Sequence, residues 1–228
     1  MRFEDTSVYN IYNAILGARN PKNSWNKSDS VFKGYNGKIE NTEIGENDLK
    51  LAQTLIKAGS EHRKFMRQIF VSVDITAPLF WWKEADQYKV GTVSDSCSTM
   101  HKLASTPITI ECFEMDDFND CKDDSNVYVS AIWAEIITRL EKLRQKYNET
   151  KDKRYWKELI RLLPESWLQK RTVTMDYENL LAMCSKGHRR FHKLTEWSKS
   201  FIGWARTLPY AQELIFLDEL SEKAVVDR

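Results

Sequence analysis

The chain has 228 residues, of which 42% are hydrophobic and 29% are charged, and this composition is typical of a folded protein with a sizeable core. Lysine and arginine number 34 and aspartate and glutamate 33, so the formal net charge is +1. This balance predicts no general attraction to nucleic acid or to an anionic membrane. The longest apolar runs are far shorter than the ~20 residues that span a bilayer.

The cysteines are sparse and none of them forms a C-x-x-C pair: Cys97, Cys112, Cys121 and Cys184. The first six residues are mixed in character and contain two acids, which is unlike a secretory signal. These features predict free thiols in a reducing, cytoplasmic compartment. The chain has no internal repeat and no low-complexity linker, so we predict a single domain over residues 1–228.

The first half of the chain predicts one long loop, two helices and a strand. Residues 17–45 are rich in Asn, Lys, Ser and Gly and predict mostly loop. Apolar residues then recur on one helical face and predict a helix over about 47–59: Leu49, Ala52, Leu55 and Ile56. Alternation of apolar and polar residues predicts a strand over 69–75. A helix follows over 78–88, because its first residue is a proline, whose missing N–H has no partner in a first helical turn.

The second half of the chain predicts mostly helices. Residues 90–100 are small and polar, which is typical of a binding loop. Residues 111–124 include seven acids but lack the spacing and the glycine of a calcium loop, so they predict a solvated acidic loop. Short strands are predicted over 107–113 and 171–175. Four helices are predicted over 127–147, 155–163, 177–186 and 194–205. The fold class predicted is therefore α+β, with helix dominant.

Two stretches of the sequence resemble the flavin-dependent thymidylate synthases. The first spans residues 77–103, where the family has an Ala-Pro that opens a helix ending in Arg-His-Arg, then a Ser, a Glu and Ser-Gly-Arg. The second spans residues 163–180, where the family has Leu-Pro, an Arg and Asn-Ala-Arg-Ser-Leu. Both stretches align without a gap. Residues 14–19 also resemble an early Ala-x-x-x-Ala-Arg segment of that family.

The resemblance implies a helix-dominated α+β protomer with a small, twisted, mainly antiparallel sheet. It also implies a homotetramer that holds flavin adenine dinucleotide (FAD) and deoxyuridylate (dUMP) at subunit interfaces. The implied reaction is that of a methyltransferase, namely reductive methylation of the uracil ring with methylenetetrahydrofolate and a nicotinamide reductant.

The residues aligned with the flavin side of the family site have lost positive charge. Gln87, Tyr88 and Lys89 stand at the family's Arg-His-Arg, whose arginines serve the flavin and its phosphates. Lys89 keeps a point charge, whereas Gln87 and Tyr88 offer only neutral hydrogen bonds. Thr92 keeps a hydroxyl at the family's Ser, and Gln68 stands where the family has a His near the flavin. The resemblance makes these five residues the candidate cofactor-binding set.

The residues aligned with the catalytic side are also altered. Asp95 stands at the family's Glu and keeps a carboxylate, while Cys97, Ser98 and Thr99 stand at Ser-Gly-Arg, so a guanidinium is lost. Asp95 and Cys97 are the candidate catalytic residues. A reactive cysteine needs a base or cation to lower its pKa from ~8.5, and His101 is the candidate base. The alternative is that Cys97 is a small buried thiol.

The second stretch contains the largest change of charge. Lys170 keeps the charge of a family Arg, Asp176 stands at the Asn, and Glu178 stands at an Arg that the family uses on the nucleotide. At ~4 Å and an effective dielectric constant of ~20, a cation attracts a phosphate by about 4 kcal/mol and an anion repels it as much. We therefore expect a dianionic nucleotide bound in the ordinary way to be excluded. Arg189 and Arg190, in a basic cluster, are candidate replacement cations, and the alternative is a solvated basic helix face.

A metal site is the other chemistry that the sequence raises. Cys184, His188 and His192 recur every four residues and are of the types that bind zinc. A fourth ligand is not evident, and Gly187 weakens the helix that would align the three. The sequence therefore predicts no metal site.

Two functions remain open at this point. The chain is either a diverged relative of the flavin-dependent thymidylate synthases that binds a pyrimidine nucleotide, a flavin or both, with an altered substrate or reaction. Or it is a non-catalytic protein on the same fold that binds or sequesters a nucleotide-like ligand, or acts as a scaffold. The loss of charged groups within a preserved framework is consistent with both.

Overall fold

A computed structural model describes residues 1–35 and 38–220. Its strands are β1 (Arg2–Tyr9), β2 (Val31–Tyr35), β3 (Lys38–Glu43), β4 (Phe70–Pro78), β5 (Val93–Ser96) and β6 (Leu168–Asp176). Four of them form an antiparallel sheet in the order β1-β4-β6-β5. Strands β2 and β3 pair with each other as a separate antiparallel hairpin.

Helices contain more residues than strands. The α-helices are α1 (Ile11–Gly17), α2 (Glu46–Lys57), α3 (Leu79–Ala85), α4 (Thr99–Lys102), α5 (Val129–Thr150), α6 (Lys153–Leu162), α7 (Tyr177–Met183), α8 (Lys186–Phe191), α9 (Ile202–Ala205) and α10 (Ala211–Leu214). Short 3₁₀ helices span Asn20–Lys22, Trp25–Lys27, Lys64–Gln68, Leu103–Ser105 and Ile110–Cys112, and a π-helix spans Glu196–Phe201. The predicted α+β fold with dominant helix and a small antiparallel sheet is confirmed.

Four local predictions are wrong. Residues 90–100 are not a loop throughout, because they contain β5 and the start of α4. Residues 17–45 are not a loop throughout, because β2 and β3 lie there. Residues 107–113 form no strand and contribute one isolated bridge, between Phe113 and Trp167. Strand β1 was not predicted, because its sequence, RFEDTSVY, mixes charged and apolar residues without a strict alternation. An edge strand pairs on one side only and needs no continuous apolar face.

The C-terminal helices are more interrupted than the sequence predicts. The helix predicted over 177–186 ends at Met183, and a separate helix, α8, begins at Lys186. The helix predicted over 194–205 is a π-helix followed by α9. Apolar spacing does not separate these forms, because a π-turn differs from an α-turn by a single residue.

The described chain divides into two compact units. Unit 1 contains residues 1–2, 75–86 and 95–171, and unit 2 contains residues 3–74, 87–94 and the described residues from 172 onward. The prediction of a single domain over 1–228 stays a prediction. Among the described residues, no helix is both long and apolar enough to cross a bilayer.

The core of unit 1 is built on the hairpin of α5 and α6. Its fully buried apolar residues are Leu103, Ile108, Phe113, Leu140 and Leu159. The Phe113 ring lies 5.4 Å from that of Trp133 and 5.5 Å from that of Trp167, measured between centroids. Aromatic pairs at such distances add packing energy beyond the area that they bury.

The core of unit 2 contains a buried ion pair beside its apolar residues. The Arg19 guanidinium donates to the Asp48 carboxylate over 2.5 Å, and the two side chains are 6% and 0% exposed. Ser28 and Ser30 donate their hydroxyls to the other carboxylate oxygen over 2.6 and 2.5 Å. Burial by itself raises the pKa of Asp48, but these three donors outweigh it and hold the pKa below its ordinary value.

Candidate functional site

One pocket in unit 2 gathers five of the residues that the resemblance selects. Its volume is about 450 Å³, which is within the range of pockets that hold small ligands. Gln87, Tyr88, Lys89, Asp176 and Glu178 line it. The sequence did not select the remaining lining residues: Arg67, Val90, Asn179 and Ala182.

The first turn of α7 forms one side of this pocket, and Asp176 fixes that turn. The Asp176 carboxylate accepts a hydrogen bond from the backbone N–H of Asn179 over 2.8 Å, and the Asn179 side chain accepts one from the Asp176 N–H over 3.4 Å. This reciprocal pair is a capping box. Aspartate and asparagine are equally good N-caps, so the replacement of the family's Asn by Asp preserves the helix start. Burial raises the pKa of Asp176, although hydrogen bonds from the backbone of Asn179 and Glu178 oppose the shift.

The segment that follows α3 forms the other side of the pocket and is hydrogen-bonded to α7. The Asn179 amide donates to the Val90 carbonyl over 2.7 Å. Gly91 has a φ of +77°, and a Cβ there would lie 2.6 Å from a carboxylate oxygen of Asp176. Only glycine combines that backbone conformation with so close an approach. The Thr92 hydroxyl donates to the Tyr88 carbonyl over 2.9 Å and closes the turn.

Tyr88 is held in place by two aromatic side chains, His188 and Trp197. His188 Nδ1 lies 3.0 Å from the Met183 carbonyl oxygen, and Nε2 lies 3.1 Å from the Tyr88 hydroxyl. A carbonyl oxygen only accepts, so Nδ1 is assigned the proton and Nε2 accepts from Tyr88. The Trp197 ring packs 5.6 Å from the Tyr88 ring and 5.5 Å from the His188 ring. Tyr88 therefore presents a fixed ring to the pocket.

Glu178 lies in an ion-pair network whose arginines the sequence analysis missed. The Glu178 carboxylate lies 2.9 Å from Arg63 Nε and 3.6 Å from Arg67 Nε. Two positive charges and one negative charge leave this group at a formal net charge of +1, which is the charge of the single Arg that the resemblance expects at position 178. The negative charge of Glu178 is therefore offset by the two arginines. The expected exclusion of an anionic nucleotide stays a prediction.

Arg63 and Arg67 have no spacing signal in the sequence that could have paired them. Arg67 lies in the short 3₁₀ helix Lys64–Gln68 that leads into β4, and Arg63 lies just before it. A 3₁₀ helix has three residues per turn, so it aligns positions three apart rather than four. Gln68, the next residue, was the one selected. It is exposed, its carbonyl accepts from the Asn10 side chain over 2.9 Å, and it is outside the pocket lining, as is Thr92.

A second cavity of unit 2, of about 760 Å³, adjoins this network. Arg63 and Arg189 line it, and Ala182 lines both cavities. The Arg63–Glu178 ion pair thus joins a residue of one cavity wall to a residue of the other. Arg189 is 9% exposed and is bound by Asp218 over 2.6 Å and by Glu219 over 2.7 Å. Its guanidinium is therefore engaged within the protein.

The remaining basic candidate lies on α8 beside Arg189. Arg190 is exposed and lies outside both cavity linings.

The other selected residues lie together in unit 1. The Cys97 N–H donates to the Lys170 carbonyl over 2.9 Å, and the Gln169 side chain donates to the Cys97 carbonyl over 3.0 Å. The Ser98 hydroxyl caps α4 by accepting from the His101 N–H over 3.2 Å, and Thr99 begins that helix. Asp95 is exposed on β5. Cys97 is exposed, so the alternative of a buried thiol is wrong.

The cysteine and histidines of the zinc pattern do not lie on one helix. Helix α7 ends before Cys184 and α8 begins two residues after it. A four-residue spacing therefore does not place the three side chains on one helical face. Cys184 is fully buried, and burial raises the pKa of its thiol to about 12. His188 and His192 pack against the Trp197 ring at 5.5 and 4.9 Å.

Known structures share this arrangement of strands and helices. Two crystal structures of the flavin-dependent thymidylate synthase ThyX from Helicobacter pylori, each with FAD and dUMP, superpose with TM-scores of 0.67 and 0.68. Their sequences are 14% and 15% identical to this chain. Each superposition includes 96% of this chain and 99% or 98% of the ThyX chain. Comparisons with protein-family models and with curated protein sequences give no match. The chain therefore has the fold of the flavin-dependent thymidylate synthases.

Proposed function

We propose that this chain binds a nucleotide-like ligand, a pyrimidine nucleotide or a flavin, in the unit 2 pocket, and that its reaction differs from ordinary thymidylate synthesis. The observation that supports this most is the Arg63–Glu178–Arg67 network at the pocket wall. It supplies positive charge where the resemblance predicts a nucleotide-binding arginine. The ThyX structures with the same fold hold FAD and dUMP.

The pocket residues fit the two chemical parts of such a ligand. Lys89 and Arg67 bear positive charges that suit a phosphate. The carboxylates of Asp176 and Glu178 and the amide of Gln87 are acceptors that suit the N–H groups of a pyrimidine or flavin ring. A bound flavin would supply hydride transfer. The residues of this chain would bind the ring, fix its orientation against Tyr88 and balance the phosphate charge.

The roles of the individual residues are proposed from the resemblance, and Gln68, Thr92, Arg189 and Arg190 lie outside the pocket lining. We propose that Gln68, Gln87, Tyr88, Lys89 and Thr92 serve the cofactor. Asp95 and Cys97 are the proposed catalytic residues. The proposed substrate-binding set is Ser98, Thr99, Lys170, Asp176, Glu178, Arg189 and Arg190. We also propose a homo-oligomer, a tetramer by resemblance, in the cytoplasm.

An altered reaction is proposed because the positive charge is placed differently. An arginine binds a phosphate or a ring oxygen with a planar fork of donors. At positions 87, 99 and 178 the chain has Gln, Thr and Glu, and Arg63 and Arg67 already share the Glu178 carboxylate. These arginines are therefore less free to follow charge that develops on a reacting ring.

The same network supports a second candidate, a non-catalytic binding protein. Cations that are held by a carboxylate can still balance a phosphate, because that needs only local net charge. In this case the pocket would retain or sequester the nucleotide unchanged. Flavin content and turnover separate the two candidates.

The first experiment measures what the purified full-length protein contains. An absorbance band near 450 nm, with FAD released on denaturation, supports a flavin protein. A colourless protein that releases a pyrimidine nucleotide, or binds added dUMP in calorimetry, supports the binding protein. A protein that contains neither ligand and binds neither FAD nor dUMP when they are added contradicts the proposal.

A pair of lysine variants tests the place of binding. Lys89→Met removes a charge from the pocket, whereas Lys50→Met removes one from an exposed position on α2 outside the pocket lining. We expect Lys89→Met to weaken binding of the phosphate-bearing ligand at least fivefold, as a charge-assisted hydrogen bond is lost. Equal affinities of the two variants would place the ligand elsewhere.

A further inference from the structure

Unit 1 contains a cleft that the proposed function does not use. It has a volume of about 710 Å³ and lies between the first turns of α5 and the segment 108–118. Its lining residues are Ile108, Thr109, Ile110, Met115, Phe118, Ser130, Trp133, Ala134 and Ile137. This size, and a wall of mainly apolar and aromatic side chains with a few polar groups, are typical of a site for a small organic ligand.

The polar groups of the cleft bring negative charge to its edge. The Thr109 hydroxyl donates to the Glu111 carboxylate over 3.0 Å. Asp120 accepts from the N–H of Ser130, another lining residue, over 2.9 Å and from its hydroxyl over 2.8 Å. None of the described residues that line the cleft is basic. Both carboxylates are therefore hydrogen-bonded to residues of the lining and bring negative charge next to the cleft.

The aromatic wall is held in place before any ligand arrives. The Trp133 ring packs 5.4 Å from Phe113, which is 3% exposed and belongs to the unit 1 core. A ligand would therefore meet a fixed indole face without the cost of ordering it. An aromatic face beside carboxylates attracts an organic cation, because the ring quadrupole and the carboxylates act in the same direction.

We propose that this cleft binds a small organic cation with an apolar aromatic body, such as an aromatic amine. Its apolar body would lie against Trp133 and Phe118, with the positive charge toward Glu111 and Asp120. A ligand of the opposite charge would meet two carboxylates and no basic side chain of the lining. The proposal is independent of the nucleotide pocket in unit 2, and either can fail alone.

The test compares two fluorescent probes on the full-length protein. Thioflavin T is an aromatic cation, and 8-anilino-1-naphthalenesulfonate is an aromatic anion with a body of similar kind. We expect the cation to bind at least tenfold more tightly at low salt. Ala134→Trp fills the cleft and should abolish that binding, whereas Ala131→Trp, on the same helix but outside the lining, should preserve it.

Charge variants keep the test valid if Ala134→Trp does not fold. Glu111→Gln and Asp120→Asn should each weaken thioflavin T binding about threefold, the scale of an exposed ion pair. Glu149→Gln removes an exposed acid near the far end of α5 and should leave binding unchanged. Equal binding of both probes would overturn the proposal. So would a change of sedimentation coefficient in Ala134→Trp alone, since the cleft would then be a contact between copies.

Discussion

Two arginine–carboxylate networks in unit 2 differ in how much water reaches them. The Arg19–Asp48 pair is 6% and 0% exposed, and each oxygen of the carboxylate has a donor. In the second network Arg63, Arg67 and Glu178 are 27%, 48% and 17% exposed, and two of them line a pocket. The first network is closed to any ligand, whereas the second has charge directed at an open space.

The exposure of a charged group determines whether it can contribute to ligand binding. A buried pair that loses one partner leaves an uncompensated charge in a medium that solvates it poorly. When a partly exposed pair loses one partner, water solvates the charge that remains. The first network is therefore expected to control folding, and the second to control binding at little cost in stability.

Asp48→Ala should have the largest effect on stability. It leaves Arg19 buried without its carboxylate and removes the acceptor for the Ser28 and Ser30 hydroxyls. We expect the free energy of unfolding to fall by about 3–5 kcal/mol, measured by urea denaturation. Glu135→Ala is the control, because it removes an exposed pair at the surface, with Arg139. Similar losses in both variants would show that burial does not set the contribution of an ion pair to stability.

Gly91→Ala tests whether the backbone geometry beside Asp176, rather than ion pairing, stabilises the pocket that contains Arg67 and Glu178. The new Cβ would meet Asp176, the cap of α7, at 2.6 Å. We expect a loss of about 2–3 kcal/mol in the free energy of unfolding. Gly59→Ala is the matched control, because its φ is +106° but no atom lies within 4 Å of the added Cβ. It should lose about 1 kcal/mol, and equal losses would show that Asp176 moves freely.

Glu178→Gln should have a small effect on stability. The carboxylate is replaced by an amide of the same shape, and water can solvate Arg63 and Arg67. We expect a loss of about 1 kcal/mol or less in the same urea measurement. A loss as large as that of Asp48→Ala would mean that the Glu178 network stabilises the fold as strongly as the buried network does, contrary to this prediction.

The smallest expected effect is on the pH dependence of stability, through Glu141 in unit 1. Its ion pair is intermediate between the two networks described above. Hydrogen bonds from Arg144, then from the Ile108 N–H and Gln145, lower the pKa of Glu141 from 4.5 to about 2, although burial opposes them. A carboxylate with a lowered folded pKa contributes stability that is complete above its unfolded pKa and is lost as the pH falls toward the folded value. Between pH 4.5 and 2, Glu141→Gln should therefore lose less stability than the unmodified chain. Parallel curves would contradict this.

The sequence predicted most of the fold because the main helices and the central strand have clear periodicity. Strands β4 and β6 and helices α2, α5 and α6 lie close to their predicted positions. Strand β1 and the β2–β3 hairpin were missed, since their residues are polar enough to suit a loop. Their pairing depends on partners that are distant in sequence or on a turn, which local patterns do not encode.

The candidate site could be predicted only in part. The resemblance selected Gln87, Tyr88 and Lys89, which line the pocket together with Glu178. It did not select Arg67, because its contact with Glu178 spans more than a hundred residues of sequence. An alignment compares one position at a time, so a cation that another element contributes is counted as absent. The contact between Arg67 and Glu178 becomes visible only in three dimensions.

The most direct test of the relocated charge is calorimetric titration of Arg67→Met with FAD and with dUMP. The variant removes a cation of the pocket wall but keeps Glu178 paired with Arg63 over 2.9 Å. Arg139→Met, an exposed position on α5, is the control. We predict that Arg67→Met weakens binding of the ligand that the unmodified protein binds by at least tenfold, while Arg139→Met leaves it unchanged. Unchanged affinity in Arg67→Met would contradict the claim that Arg63 and Arg67 replace the missing arginine.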